Sequence, residues 1–125
     1  MFRRKVNVGE FADLPVTMNL KTVRRIAGEA EIGFKGIKVN IVRDPGLKGR
    51  GIFGYAHPNG KQIDLYPDAF GSPETLVRTL GHERTHAMQF QLHGKPGDSV
   101  LGGLFEEAAY GIEDAFILHW RSRLK

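Results

Sequence analysis

Cysteine is absent from the chain. That removes disulfides, thiolate metal ligands and thiol nucleophiles together. A metal site here must be built from His, Asp and Glu. Long apolar runs are absent too, and no stretch nears the ~20 residues a membrane-spanning helix needs. Arg3, Arg4 and Lys5 are followed by Val6-Asn7-Val8-Gly9-Glu10 rather than by an apolar segment, so no secretory signal is visible. The expectation is a protein with no membrane partner, cytoplasmic as encoded, with export or virion incorporation left to some other route. Repeats, low-complexity tracts and linkers are missing as well. The basic residues lack the interleaved aromatics of single-strand nucleic-acid binders.

What is present reads as one soluble globular unit. The chain has 125 residues, 41% hydrophobic and 26% charged, with a net charge of +4. That length suits a single domain over 1–125 and can bury a core without staples. Residues 1–16 show no clear period and are expected to pack as an arm. The positive excess gathers at Arg3, Arg4 and Lys5 and at Arg121, Arg123 and Lys125. The bland reading of such termini is a solvated surface. The sharper one is contact with nucleic acid or an anionic surface.

Along the chain, Thr17 is expected to cap a helix running to about Ala30, with Leu20, Val23, Ala27 and Ala30 as its apolar stripe. Ile37-Lys38-Val39-Asn40-Ile41 alternates and reads as a strand. Asp44-Pro45-Gly46 breaks it, and 46–51 reads as a loose, basic loop. Residues 52–57 and 61–66 read as strands joined by Pro58-Asn59-Gly60, a hairpin signal. Ser72-Pro73-Glu74 opens a helix, with Ser as cap, Pro in the first turn and Glu at the positive end of the dipole. It runs to about His93 and stops at Gly94. A last helix is expected over 104–123. Helix, strands, helix, helix gives an α+β fold, with the small sheet mostly antiparallel.

The chemistry sits in His82-Glu83-Arg84-Thr85-His86. Four residues is about one helical turn, so both imidazoles leave the same face. Two nitrogens on adjacent turns can close on one Zn²⁺, which takes such ligands and keeps a position open for water. Glu83 lies about 100° further round the helix. There it can reach that water without being a ligand. With five His and few Glu, a chance match has a probability of roughly 1 in 100. The bland reading is two satisfied histidines and a solvated Glu. Gly81, just before the motif, suggests that a strand or a substrate approaches the helix backbone closely there.

A catalytic zinc needs a third protein ligand. A His six residues after His86, with a Gly between, is excluded, because Leu92 and Gln89 hold those places; His93 falls one residue too far. A carboxylate from the last helix is the other solution. Phe105, Ala109, Ile112, Phe116 and Trp120 define that helix's apolar stripe. Glu107 falls opposite it, whereas Glu106 and Glu113 fall on its flank. Both stay open on geometry alone.

The motif followed by a Glu twenty residues after the second His resembles the gluzincins, the thermolysin-like branch of the zincins. Small members carry Glu-x-x-Ala-Asp or Glu-x-x-Ala-Asn there. This chain has Glu106-Glu107-Ala108-Ala109-Tyr110, which departs at the last place. The resemblance spans about 50–120 and implies a zincin-like fold in which His82, His86 and Glu106 hold one Zn²⁺ and Glu83 is the base of a metalloendopeptidase. It also implies a polypeptide substrate aligned on a sheet edge. Glu113 remains the alternative third ligand. With the family's Asp missing, Glu113 or Asp114 is left to orient a ligating His. Tyr110, Tyr55, His57 and His119 are candidate donors to a developing oxyanion. Two other functional classes compete. One is a zincin fold without activity, serving as a structural or binding part of a larger assembly such as a phage particle or toxin system. The other is a basic nucleic-acid module built on the termini and Lys48-Gly49-Arg50, which predicts steep salt dependence.

Overall fold

In a computed structural model the chain is described from residue 7 to 124. Arg3, Arg4, Lys5 and Lys125 lie outside the described residues, as do residues 1–6 of the expected arm. Three helices and three strands follow in the order α1 (Leu20–Glu29), β1 (Lys38–Ile41), β2 (Gly54–Ala56), β3 (Gln62–Leu65), α2 (Pro73–His93) and α3 (Ser99–Arg123), an α+β arrangement. No helix among the described residues is long and apolar enough to cross a membrane.

The sheet is mixed rather than mostly antiparallel. β3 is central, antiparallel to β2 and parallel to β1. The Asn59-Gly60 hairpin forms as expected: the Asn59 side chain accepts the Lys61 N–H at 2.8 Å, and Gly60 takes φ +70°. That hairpin makes β2 and β3 antiparallel. The long segment 42–53 first carries the chain past the position of β3, so β1 and β3 run the same way.

Helix α1 begins later than its sequence suggests. Asn19, not Thr17, is the cap, accepting the Thr22 N–H at 2.8 Å. Met18, just before the cap, is buried, which commits this stretch to an extended entry. Leu20 is 38% exposed and drops out of the apolar stripe, while Ile26 joins Val23, Ala27 and Ala30 in the core. Residues 7–16 pack as an arm: Phe11, Leu14 and Val16 lie on the core.

Helix α2 starts and stops where its signals place it. Ser72 accepts the Thr75 N–H at 3.0 Å, and Gly94, at φ +72°, donates to the Phe90 carbonyl at 2.8 Å. It is the spine of the fold. Leu76, Val77, Leu80 and Ala87 are fully buried beneath the sheet and against α3. Helix α3 begins five residues before the expected 104, capped by Asp98 on the Leu101 N–H at 2.8 Å. Gly102-Gly103 lowers helix propensity by about 1 kcal/mol per residue; the Asp98 cap and the packing of Phe105 carry the helix through it. Its buried line is Phe105, Ala109, Ile117 and Trp120, with Phe116 packed beside it, whereas Ile112 is 39% exposed.

Gly81 is a point of close approach between α2 and α3. A Cβ there would sit 2.3 Å from Cδ2 of Phe116. The close neighbour is thus an aromatic ring of α3, neither a strand nor a substrate. We expect Gly81→Ala to destabilise the fold by about 1–3 kcal/mol despite its better helix propensity, because the ring must leave its rotamer or push the helices apart. Urea unfolding of the variant against the parent checks this.

Candidate metal centre

His82 and His86 face α3 from adjacent turns of α2, and Glu106 meets them from the second turn of α3. Glu106 Oε1 lies 3.0 Å from His82 Nε2 and 2.5 Å from His86 Nε2. The three ligating atoms all fall within 4.8 Å of one another, a group able to hold a metal ion.

What stands behind each imidazole decides what faces inward. His82 Nδ1 lies 2.8 Å from Oε2 of Glu113. His86 Nδ1 lies 2.9 Å from Oε1 of Gln89, whose amide nitrogen donates to the Phe105 carbonyl at 3.1 Å. A main-chain carbonyl only accepts, so that contact fixes which end of the Gln89 amide faces His86. Both Nδ1 atoms therefore donate outward, and in the neutral rings both Nε2 lone pairs point at the Glu106 carboxylate. Three converging lone-pair donors repel unless a cation lies among them or the rings are protonated. That donor set fits a divalent metal.

Glu113 thus lies behind His82 as the partner of its Nδ1, outside the group of three that could hold a metal ion. It is further held by Arg78, whose guanidinium lies 3.7 Å from Glu113 and 2.8 Å from Asp114. Asp114 is exposed and reaches the centre only through Arg78. Gln89 and Arg78 escape a reading of the motif alone. Their signal is spacing: Gln89 is three residues after His86 and Arg78 four before His82, on the same helical face. Replacing Glu113 with Ala should weaken metal binding 10–100-fold through loss of ring orientation, measured by competition with a chromogenic chelator.

Glu83 lies beside the cluster on α2, beneath the edge of the sheet at Gly54 and bordering the same cleft as His82 and Glu106. It is 8% exposed, and its carboxyl makes no hydrogen bond among the described residues. Burial, with Glu106 and Glu113 adding to it against His86, pushes it up to about 7. Burial also pushes Glu106 up, but hydrogen bonds and charge from His86 and His82 outweigh it and hold that carboxyl below its usual range. Gly54 of β2 permits this arrangement: a Cβ there would lie 3.0 Å from Glu83 Cγ and Thr79 Cγ2.

An open cleft passes over the cluster in two arms that share Gly54, His82, Glu83 and Glu106. One arm, of about 450 Å³, is walled by Ile52, Phe53, Arg78 and Tyr110; the other, of about 380 Å³, by Tyr55, Phe90, Pro96 and Phe105. Tyr110 follows Glu106 by one turn, and its ring stands 4.6 Å from that of His82. Of the other candidate donors, only Tyr55 borders the cleft. His57 is paired with Asp64 at 2.9 Å and His119 with Glu31 at 2.7 Å, both away from the cluster. Lys48 is tied to Asp13 and to the Glu10 carbonyl. Arg121 pairs with Glu74, and Arg123 with Glu31.

Fold and site together define an α+β protein with a two-histidine, one-carboxylate centre across a helix pair. No protein-family model, curated protein or solved structure matches the chain.

Proposed function

We propose that this protein is a zinc-dependent endopeptidase of the gluzincin type. The observation that carries the reading is the convergence of His82, His86 and Glu106 with Glu83 buried alongside and outside the ligand group. Imidazole and carboxylate donors without thiolate suit zinc in an open, water-accessible site. Bound there, zinc would supply Lewis acidity to an attacking water and to the scissile carbonyl. Glu83 takes the proton from that water and delivers it to the leaving amine nitrogen as the C–N bond breaks. Tyr110, exposed at the mouth beside Glu106, is the best-placed candidate donor to the developing oxyanion.

The edge of the sheet supports a polypeptide substrate. Phe53 accepts from Tyr66 and His57 donates to Gln62, both at 2.9 Å, which turns the odd-numbered main-chain groups of β2 toward β3. Those of Gly54 and Ala56 therefore face the cleft and are free to pair with an extended chain. The cleft continues past the cluster on both sides, so a substrate can extend in both directions from the scissile bond.

The test is metal content by mass spectrometry together with hydrolysis of a carboxymethylated, unfolded protein by wild type and Glu83→Gln. Zinc at one per chain with cleavage abolished in the variant supports the reading. Zinc without any cleavage in the wild type would leave a metal-binding structural domain in its place.

A further inference from the structure

Two amides of the loop leading into β2 are held by a single carboxylate. Gly49 N–H donates to Asp68 Oδ1 at 2.7 Å, and Gly51 N–H donates to Asp68 Oδ2 at 2.8 Å. Both glycines have positive φ, +79° and +71°, which lets two amides from alternate residues turn toward one side chain. Between them Arg50 donates to the Gly46 carbonyl at 3.0 Å. The loop read from sequence as loose is therefore clamped. Asp68 itself sits in the short turn Pro67–Phe70 directly after β3 and does not border the cleft. The residues just past the clamp do: Gly51, Ile52 and Phe53 form one lip of the larger arm, with Ile52 and Phe53 each 42% exposed.

We propose that Asp68 is a positioning residue for substrate: by gripping the amides of Gly49 and Gly51, it fixes the Ile52–Phe53 lip in line with the Gly54–Ala56 edge on which an extended peptide pairs. The proposal rests on the peptidase reading of the same cleft. Its physical basis is pre-organisation. A lip already ordered in the free protein removes an ordering penalty that a mobile lip imposes on each binding event. The two-oxygen grip also predicts a graded series. Asp68→Asn keeps one acceptor oxygen, and Asp68→Ala keeps none.

Two measurements on the zinc-loaded protein test this. Amide hydrogen exchange at Gly49 and Gly51 reports the clamp with no need of activity. The Kd of a carboxymethylated, unfolded peptide for Glu83→Gln, with and without Asp68→Ala, reports the lip. The expected result is faster exchange at both amides, a Kd weakened roughly tenfold, and unchanged zinc content, with Asp68→Asn between the two. In the active enzyme the same change should raise KM and leave kcat within about twofold. Unchanged exchange in a folded Asp68→Ala protein would overturn the clamp. Faster exchange with unchanged Kd would reduce Asp68 to a purely structural role and overturn the proposal. A Glu83→Gln protein that binds no peptide at all counts against the peptidase reading instead, while the exchange arm still decides whether the clamp exists. If Asp68→Ala fails to fold, Asp68→Asn must shift both readouts in the same direction by less.

Discussion

Glu83→Gln should lower peptide hydrolysis by about 10²–10⁴-fold while leaving metal content unchanged. The amide matches the carboxyl in shape but cannot take the proton from water. It also leaves both imidazoles, Glu106, Glu113 and Gln89 in place, because Glu83 touches none of them by a hydrogen bond. A variant that lost metal along with activity would show that Glu83 supports the ligands instead. The same substitution has a second effect, on the metal-free protein. A carboxyl raised from 4.5 to about 7 in the folded state binds its proton more tightly folded than unfolded. Below pH 4.5 both states are protonated and the group is neutral toward stability. As pH rises from there to about 7, the unfolded state ionises first, so the folded protein loses stability, by about 3 kcal/mol in all. Glu83→Gln carries no such group. The difference in unfolding free energy between variant and parent should therefore grow over this window in the variant's favour. A flat difference from pH 4.5 to 7.5 in chelator-treated protein would mean that the carboxyl is hydrated after all. Metal loading should shrink the effect, since a nearby cation favours the ionised form.

Glu106→Ala should abolish tight metal binding, weakening it by more than the 10–100-fold expected when only a ligand's supporting residue is removed. It takes away the only carboxylate, among the described residues, that lies on both Nε2 atoms. With two ligands left, the open site cannot hold the ion against water. Stability should follow. Metal at a hundredfold excess over Kd stabilises the wild type by about 2.7 kcal/mol, and the variant should lose the corresponding rise in Tm on adding zinc. Glu107→Ala, one residue along and pointing to solvent, is the matched control and should behave as wild type. Equal loss in both variants would mean that the substitutions disturb α3 rather than the centre. Retention in Glu106→Ala would return the third-ligand role to Glu113.

Features set within one or two helical turns were legible without coordinates. Ser72, Pro73 and Gly94 act on their own helix ends, so α2 has the bounds its signals mark. The i, i+4 spacing of His82 and His86 puts two rings on one face whatever surrounds them. The hairpin at Asn59-Gly60 needs only its local turn. Misreadings arose where a neighbour outweighed local preference. The expected start at 104 missed the local cap at Asp98, and the packing of Phe105 that carries α3 through Gly102-Gly103 is visible only when the elements are assembled. The parallel pairing of β1 with β3 depends on where the 42–53 segment leads the chain, and no local period encodes that.

By itself, then, the sequence determined the motif, its helix and the chemistry open to it, since an imidazole pair at one-turn spacing and an absence of thiols are properties of the chain. Which carboxylate meets the two imidazoles was decided only by tertiary structure. Glu106 and Glu113 lie on the same flank of α3, seven residues apart. At the crossing, α3 lies close enough to α2 for Phe116 to pack on Gly81. That crossing brings Glu106 to the two inner nitrogens and leaves Glu113 behind the ring of His82. The burial that raises Glu83 has the same kind of origin, in a strand held against the helix through a glycine distant in sequence.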